Sequence, residues 1–455
     1  MTANRTMDGT LGWLGILRLG LVQTALGAIV VLTTSTLNRI MVVELSLAAT
    51  LPGALVALHY GVQLSRPRWG HGSDEGGRRV PWILGGMGVL AAGGFLAALG
   101  TVTMADQFTY GLALALAGFI LIGGGVGAAG TSLLALLAVR TAPRRRAAAA
   151  SIVWIMMIAG MAITATVVGG MLDPYSGERL LAVTAGVGAV AFCVTLLAVI
   201  GVERRKATAV SATEQPAPDR REKLAFREAL AAVWDEREAR RFTIFVFVSM
   251  LAYSAQDLIL EPYAGHVFGF TPGESTALAG TQHGGVFLGM IIVALAGSAI
   301  GGRRFGSMRL WAVGGCLASA AALALLAIGG TIADIFPLRA VVFALGVANG
   351  AFAVAAIGSM MGLASSGAKG REGLRMGLWG AAQAVAFGLG GFMGTVAIDI
   401  SRALLGSPET AYGLVFAGEG ILFVVSAVLA ARIGLGALRA HPNPETDLRG
   451  EPHAA

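Results

Sequence analysis

Apolar runs of about 20 residues, separated by short polar or basic segments, recur along nearly the whole chain. A helix needs about 20 apolar residues to cross the roughly 30 Å hydrocarbon core of a bilayer. The pattern therefore predicts six transmembrane helices in each half of the chain. They fall at residues 13–37, 42–63, 80–102, 109–139, 148–171 and 180–201, then at 242–261, 276–300, 308–330, 337–363, 376–398 and 411–432.

The composition supports this prediction. Of 455 residues, 55% are hydrophobic and only 13% are charged, and the mean hydropathy is +0.73. Soluble domains carry about 25% charged residues, so a soluble enzyme, a disordered chain and a nucleic-acid-binding protein are excluded despite the net charge of +7. Cys193 and Cys316 lie far apart in apolar stretches, and the sequence predicts neither a disulfide nor a metal site.

Basic residues concentrate in alternate loops, as expected when positive charge marks the cytoplasmic side. The loops after spans 1, 5, 9 and 11 hold only Arg39, Arg179, Arg339 and Arg402. The other loops carry Arg66, Arg68, Arg78, Arg79, Arg140, Arg144, Arg145, Arg146, Arg303, Arg304, Arg309, Lys369, Arg371 and Arg375. Both termini are therefore predicted to be cytoplasmic, and the loops after odd-numbered spans periplasmic. We expect the first span to be retained rather than removed as a signal peptide.

The longest polar segment divides the spans into six and six. The predicted units are an N-terminal half at 1–202, a linker at 203–241, a C-terminal half at 242–433 and a cytoplasmic tail at 434–455. Apolar residues recur in the linker at helical spacing, which is typical of an amphipathic helix at the membrane surface; a solvated tether is the alternative. These residues are Phe226, Leu230, Val233 and Trp234.

The loop between spans 2 and 3 contains a spaced motif of glycine, acidic and basic residues: Gly70, Asp74, Gly77, Arg78 and Arg79. It resembles the loop signature of the major facilitator superfamily. With six plus six spans, the resemblance implies an all-α membrane protein of twelve transmembrane helices in two six-helix halves, major facilitator superfamily-like. The second half repeats the motif weakly at Gly301, Gly302, Arg303 and Arg304, without the Asp.

Four strings carry a closer resemblance: Leu37-Asn-Arg-Ile-Met-Val-Val-Glu-Leu45, Leu58–Gln63 with Arg66–Asp74, Gln256-Asp-Leu-Ile-Leu-Glu-Pro-Tyr263 and Gly377–Ala384. They resemble the PucC/LhaA family of phototrophic bacteria over essentially the whole chain. The resemblance implies assembly of light-harvesting antenna complexes or delivery of bacteriochlorophyll in the bacterial inner (intracytoplasmic) membrane. Implied partners are antenna polypeptides, the reaction centre complex or bacteriochlorophyll synthase, with membrane lipid and no nucleic acid.

Polar residues predict a cluster at the periplasmic mouth. Asp257 and Glu261 share one face of span 7, and Pro262 is expected to end that helix just beyond them. Arg39 and Glu44 stand at the same level after span 1. The cluster is either a structural clamp between the halves or a ligand-recognition site.

Four further residues are predicted to bind pigment if the ligand is a magnesium tetrapyrrole: His59, His283, Asn349 and Glu419. A neutral imidazole nitrogen can take the axial position of the metal. The alternative for each histidine is a hydrogen bond between helices. Glu419 lies more than two turns inside span 12 and needs a partner helix or a ligand.

An assembly factor would also need an outward helix face on which antenna polypeptides dock. The sequence predicts this face on span 11, at Gly377, Trp379, Gln383, Gly390 and Gly394. Nearby, Asp399 and Arg402 are spaced for a local ion pair at the membrane interface.

Three function classes compete. Motifs typical of hydrolases, phosphate-binding loops and metalloenzymes are absent from the sequence, so an enzyme is not expected. The alternative to an assembly factor is a secondary transporter of a small or apolar, tetrapyrrole-like substrate. Against it, the spans that line the cavity of facilitator-like proteins are nearly bare of charge at mid-depth in this sequence.

Overall fold

The computed structural model describes residues 11–65, 78–142, 145–203, 234–296, 307–366 and 372–433. Within these ranges the chain forms helices and no β-strand. Residues 204–233 of the predicted linker and the tail at 434–455 lie outside them. So do Gly70, Asp74 and Gly77 of the loop motif.

Twelve helices longer than ten residues occur in the described ranges. They are α1 (Trp13–Glu44), α2 (Thr50–Gln63), α3 (Val80–Thr103), α4 (Phe108–Arg140), α5 (Arg146–Leu172), α6 (Gly177–Val199), α7 (Arg237–Phe268), α8 (Pro272–Ala296), α9 (Met308–Gly329), α10 (Leu338–Ser366), α11 (Glu372–Leu405) and α12 (Pro408–Arg432). Eleven of them are long and apolar enough to cross a membrane, which makes this a multi-pass membrane protein. The other, α2, has 14 residues.

Several helices begin with ordinary N-terminal signals. The side chains of Ser176, Ser307 and Ser407 accept hydrogen bonds from the backbone N–H three residues later, at the starts of α6, α9 and α12. Such caps satisfy N–H groups that have no partner inside the helix. α3 and α12 also carry proline in the first turn, where its missing N–H costs nothing.

Two predicted helix ends are wrong. Residues 38–41, which begin with the polar Asn38 and Arg39, were expected to separate spans 1 and 2, but α1 continues through them to Glu44. Pro262 was expected to end span 7, but it lies inside α7, which continues to Phe268. In both places other parts of the protein supply hydrogen-bond partners: Asn38 bonds to α7, and Arg39 bonds to Glu44 and to the Phe270 carbonyl.

The two halves repeat one packing scheme. In the first half α1 packs on α5 and α6, α3 packs on α4 and α6, and α2 packs on α4. In the second half α7 packs on α11 and α12, α9 on α10 and α12, and α8 on α10. Each helix thus has a counterpart six places later with the same neighbours, which is the expected outcome of an internal duplication.

Buried apolar side chains form two main clusters, one for each half. The halves meet where α2 packs on α11 and where α5 packs on α8. Small residues let α5 and α8 approach closely. A Cβ added to Gly169 of α5 would lie 2.7 Å from the backbone nitrogen of Ala277 in α8. The two halves therefore have separate main cores, with smaller buried clusters where they meet.

Candidate functional site

The last turns of α1 carry polar side chains buried against the second half of the protein. This part of α1 contains two π-helical turns, Leu32–Thr36 and Ile40–Glu44. Such turns are rare and occur frequently at functional sites. The Thr36 hydroxyl is hydrogen-bonded to the Thr276 hydroxyl of α8 at 3.2 Å. The buried polar residues of this stretch are Thr33, Ser35, Thr36, Asn38 and Arg39.

Asn38 explains why α7 continues through Pro262. A proline inside a helix lacks the N–H that would bond the carbonyl four residues earlier, which here belongs to Leu258. Asn38 Nδ2 donates to that carbonyl oxygen at 2.6 Å. Neighbouring helices can satisfy backbone groups freed by proline within a membrane, so a residue of the first half completes a helix of the second.

Arg39 links the end of α1 to the connection between α7 and α8. It forms an ion pair with Glu44 and donates to the Phe270 carbonyl at 2.6 Å, while its side chain is 2% exposed. It also attracts the carboxylate of Glu261, which is 1% exposed. Burial, with the nearby Glu44 carboxylate, raises the pKa of Tyr175 in the adjoining loop. The structure therefore brings together Arg39, Glu44 and Glu261 of the predicted cluster.

Asp257, the fourth predicted member, lies elsewhere. It sits eleven residues before the end of α7, about 16 Å along the helix axis, which is close to the middle of a 30 Å hydrocarbon core. Its carboxylate accepts from Gln282 Nε2 of α8 at 3.4 Å. The expected position near the mouth is wrong because the helix runs seven residues beyond the expected end.

Asp257 belongs to a set of polar residues at one depth of the second half, called here the polar layer. Glu419, eleven residues into α12, is 4% exposed and interacts electrostatically with Asp257. Asn349 Oδ1 accepts from the Ser319 hydroxyl at 2.8 Å. The expectation of nearly bare cavity helices at mid-depth is therefore wrong for this half. The polar layer consists of Gln256, Asp257, Gln282, Ser319, Asn349 and Glu419.

Aromatic rings cross between the halves just beside the polar layer. Tyr60 of α2 stands 5.7 Å from Phe387 of α11, between ring centroids. Phe387 contacts Tyr253 of α7 at 5.8 Å, and Tyr253 contacts Phe352 of α10 at 6.2 Å. Phe352 in turn meets Phe423 of α12 at 5.6 Å. We call Tyr60, Phe387, Tyr253, Phe352 and Phe423 the aromatic band. Sequence reasoning missed it because aromatic residues are equally common on lipid-facing surfaces.

The four predicted pigment ligands do not converge on one point. His59, 1% exposed, is bonded to Gln63 at 2.8 Å and meets Tyr60 edge to face, at the first-half end of the aromatic band. His283 of α8, 3% exposed, is bonded through Nδ1 to the Ala279 carbonyl at 2.8 Å. Asn349 and Glu419 belong to the polar layer on α10 and α12.

The predicted docking face on α11 points inward. The Trp379 side chain is 1% exposed and packs on Phe242 of α7, with ring centroids 4.8 Å apart. Gln383 contacts Met250, and a Cβ on Gly394 would lie 3.0 Å from that of Ala255. Gly390 likewise faces α7, at Leu251. The small residues permit close helix packing inside the half, so these residues do not form an outward face. The surroundings of Gly377 lie outside the part of the protein that the structure describes.

Two carboxylates join the halves at the predicted periplasmic end. Asp399 of α11 accepts from the backbone N–H of Ala49 and Thr50 at 3.0 and 2.7 Å, capping α2, rather than pairing with Arg402. Asp173, after α5, accepts from the Thr271 hydroxyl at 2.7 Å and from Gly273 N at 3.2 Å, at the start of α8. Because α5 and α11 are counterparts, as are α2 and α8, these two caps are related by the internal repeat.

At the opposite end, the described part of the loop motif consists of Arg78 and Arg79. The backbone N–H groups of Arg79 and Val80 donate to the Glu203 carboxylate at 2.8 and 3.1 Å. Glu203 therefore caps α3, and this cap stays within the first half. The two cross-half caps and the bonds made by Thr36 and Arg39 lie at or near the predicted periplasmic end and join the halves there, whereas the bond from Asn38 to the Leu258 carbonyl lies deeper.

Comparison with known proteins agrees with this architecture. The PUCC protein family model matches residues 36–437. Among curated proteins, the chain is 53% identical to "Bacteriochlorophyll synthase 44.5 kDa chain" of Rhodobacter capsulatus, over 97% of this chain and 100% of the relative. It is 30% identical to "Protein PucC" of Cereibacter sphaeroides, over 91% of each chain.

Solved structures resemble the fold. The nucleoside transporter NupG matches with a TM-score of 0.64 at 14% identity, covering 91% of this chain and 99% of that one. The peptide transporter POT matches with a TM-score of 0.65 at 15% identity, covering 93% and 96%. At these identities the likeness concerns the fold alone, and it confirms the expected all-α, major facilitator superfamily-like architecture.

Proposed function

Because the chain belongs to the PUCC protein family, we propose that it is an assembly factor for light-harvesting antenna complexes, which delivers bacteriochlorophyll or docks antenna polypeptides. Two of its relatives are named for PucC and for bacteriochlorophyll synthase. Its site of action is the inner (intracytoplasmic) membrane of a phototrophic bacterium, with both termini in the cytoplasm. Antenna polypeptides, the reaction centre complex and bacteriochlorophyll synthase are the proposed partners.

The aromatic band is the observation that carries the proposal. A tetrapyrrole is a broad, flat and mostly apolar ring system, and ligand sites for such molecules are lined by apolar and aromatic side chains with few polar groups. The band runs from Tyr60 in the first half to Phe352 and Phe423 in the second. A flat ligand held between the halves would contact these rings.

Two buried histidines, of which His59 lies beside the band, suit the metal of such a ligand. The Nδ1 bond from His283 to the Ala279 carbonyl fixes the tautomer in which Nε2 keeps its lone pair. A second ring nitrogen bonded to a backbone carbonyl is typical of metal-ligating histidines. His59 stands against the band at Tyr60, with ring centroids 4.7 Å apart. Because these residues do not converge on one point, we propose His59 and His283 as axial ligands at separate positions, with Asn349 and Glu419 contributing polar contacts in the second half.

We also propose that the role is not enzymatic, although one relative has synthase in its name. The polar groups on which the proposal rests are individually suited to binding, and the fold is that of transport proteins. The name of that relative is equally consistent with a subunit that hands pigment to or from an enzyme.

The test is pigment content. The protein, purified in mild detergent from its own phototrophic membrane, should show near-infrared bacteriochlorophyll absorption and yield stoichiometric pigment on extraction. His59→Ala or His283→Ala should lower the pigment content. The matched control is His266→Ala, which removes a histidine bonded to Tyr412 at 3.0 Å, away from the aromatic band, and should leave the content unchanged.

A colourless protein that still co-purifies antenna polypeptides would retain the assembly role and refute pigment binding. A colourless protein without antenna polypeptides would refute the proposal as a whole. Equal pigment loss in all three histidine variants would indicate a general defect in folding rather than ligation.

A second function, secondary transport of a small or apolar, tetrapyrrole-like substrate, is favoured by a different observation. Asp257 and Glu419 lie at mid-depth, where coupling groups of transporters occur, and the cross-half caps join the halves at the predicted periplasmic end. Uptake of a water-soluble tetrapyrrole into proteoliposomes, abolished by Asp257→Asn, would support transport. Uptake equal to that of protein-free liposomes would exclude it.

A further inference from the structure

The polar layer contains buried polar atoms that lack a hydrogen-bond partner. Among the residues that the structure describes, these include both carboxylate oxygens of Glu419, both amide atoms of Gln256 and Nδ2 of Asn349. Glu419 is 4% exposed, and Gln256 and Asn349 are fully buried. Buried polar atoms are almost always paired, and leaving one unpaired costs about 1–3 kcal/mol. So many unpaired polar atoms at one depth indicate a ligand that forms hydrogen bonds with some of them.

Gln256 and Glu419 lie at the same level on facing helices. Tyr263 of α7 packs on Tyr412 of α12, with ring centroids 5.4 Å apart. The two helices run in opposite directions, so two turns from this contact lead to Gln256 on α7 and to Glu419 on α12. Residues seven apart share a helix face. The amide and the carboxyl group therefore face the same interior space.

Hydrogen-bond accounting distinguishes the two forms of Glu419. An ionised carboxylate only accepts, so it can pair with Gln256 Nε2 but not with Gln256 Oε1. A protonated carboxyl group offers one donor and one acceptor, and can pair with both atoms of the amide. Only the protonated form satisfies this pair of side chains without another ligand.

Charge leads to the same conclusion. Asp257 is a second carboxylate that interacts with Glu419, and the six members of the polar layer include no lysine or arginine. A single charge at the bilayer centre costs at least about 2.5–3.5 kcal/mol, and two like charges side by side cost more. Asp257 is partly exposed whereas Glu419 is buried. We propose that Glu419 binds a proton and that Asp257 is the group through which this proton exchanges with the space between the halves.

The other titratable groups on the surrounding helices leave this assignment intact. Glu261 on α7 lies one turn from Asp257 and has Arg39 as its nearby cation, and Tyr253 on α7 and Cys316 on α9 are neutral in their ordinary forms at pH 7. α10 contributes Asn349 and Phe352, which do not titrate. His283 lies on α8 and bonds to its own helix. Asp399 and Arg402 of α11, and Glu409 of α12, lie near Tyr412 at the predicted periplasmic end.

The test is infrared spectroscopy of the purified full-length protein with isotope-labelled glutamate. At neutral pH the wild type should show the C=O stretching band of a protonated glutamic acid, shifted in heavy water. Glu419→Gln should lose that band. Glu409→Gln is the matched control, because it changes a glutamate in the first turn of the same helix and should keep it.

A second variant tests the Gln256 contact. Gln256→Leu should leave Glu419 protonated but move its C=O band to higher frequency, because the carbonyl loses the amide N–H. Asp257→Asn should keep the band and slow its exchange with heavy water. A structural role alone would change stability but neither the frequency nor the exchange rate.

Three outcomes would overturn the proposal. The band is absent from the wild type at neutral pH, or it survives in Glu419→Gln, or it disappears when sodium replaces a bulky organic cation, which would make the layer a sodium site. The measurement uses neither pigment nor antenna polypeptides, so its result is independent of the assembly role.

Discussion

At the scale of single residues, Leu258 presents a problem that the sequence near it cannot solve. Pro262 removes the N–H that would bond the Leu258 carbonyl, and a proline in a helix interior costs about 3 kcal/mol or more. Asn38, more than two hundred positions away, donates to this carbonyl at 2.6 Å. The helix continues only because the first half supplies the donor.

This pairing predicts a measurable coupling. Asn38→Ala should lower the free energy of unfolding by about 1–2 kcal/mol, since it leaves a buried carbonyl unpaired. In a Pro262→Ala background the same change should cost clearly less, because the new backbone N–H at position 262 can bond Leu258. The measurement is denaturation in detergent of both single variants and the double variant. Equal losses in the two backgrounds would contradict the explanation.

Arg39 predicts a second difference between neighbouring residues. Arg39→Gln should be the more damaging change, because it removes the bond to the Phe270 carbonyl and leaves the buried Glu261 without its nearby cation. Removing one partner of a buried pair costs about 3–5 kcal/mol. Glu44→Gln should cost about 1 kcal/mol or less, because that carboxylate is 34% exposed.

Thermal unfolding in detergent, with both variants at matched pH and salt, measures this difference. Arg179→Gln provides the control, since Arg179 lies in the same region and bonds the Pro174 carbonyl within its own half. A larger loss for Glu44→Gln than for Arg39→Gln would show that the ion pair, and not the link to α7, dominates.

At the scale of helices, the cross-half caps predict control of the end where they join the halves. Asp173→Asn together with Asp399→Asn should cost about 1 kcal/mol at each cap, because each carboxylate accepts through both oxygens and an amide has only one, and should favour opening there. A cysteine introduced by Thr276→Cys, in a chain lacking Cys193 and Cys316, should then react with a water-soluble thiol reagent about tenfold faster or more.

Glu203→Gln is the matched control for this experiment. It also weakens a helix cap, but Glu203 and α3 both belong to the first half, so the labelling rate should not change. Equal acceleration in the control would mean that the labelling reports general loosening of the helices.

Helix contacts between α5 and α8 predict a contrast between two glycines one turn apart. Gly280→Leu should destabilise the protein by about 1–3 kcal/mol, because its Cβ would lie 2.8 Å from the backbone nitrogen of Thr166 and backbone cannot give way. Gly284→Leu should be tolerated, since nothing lies within 4 Å of the added Cβ. Size-exclusion profiles and melting temperatures of both variants measure the contrast, and equal behaviour would refute the interface.

At the scale of the whole molecule, orientation is the property that charge alone predicts. Ile335, between α9 and α10, is 81% exposed at the predicted periplasmic end, and Trp234, before α7, is 43% exposed at the other. In intact cells an impermeant thiol reagent should label Ile335→Cys, and should label Trp234→Cys only after permeabilisation. The reverse pattern would invert the topology and place both termini outside.

The sequence by itself determined where the helices of this protein lie and which fold class they form. Apolar runs of membrane-spanning length gave every helix of the two six-helix halves, and the glycine and arginine motif gave the fold class. The reason is physical: a segment in hydrocarbon must satisfy its backbone internally, so length and apolarity suffice to specify a helix. The sequence also identified Arg39, Glu44 and Glu261 as neighbours in space.

Only the tertiary structure decided which side of each helix faces the protein interior and which side faces lipid. Trp379 and Gly394 point inward, Asp257 lies at mid-depth beside Glu419, and the aromatic band joins helices that are distant in the chain. In a soluble helix an apolar stripe would indicate the buried face. Here lipid and protein interior are equally apolar, so the helices are hydrophobic on all sides and the pattern contains no signal for facing. Packing alone brings Asn38 to Leu258 and assembles the polar layer.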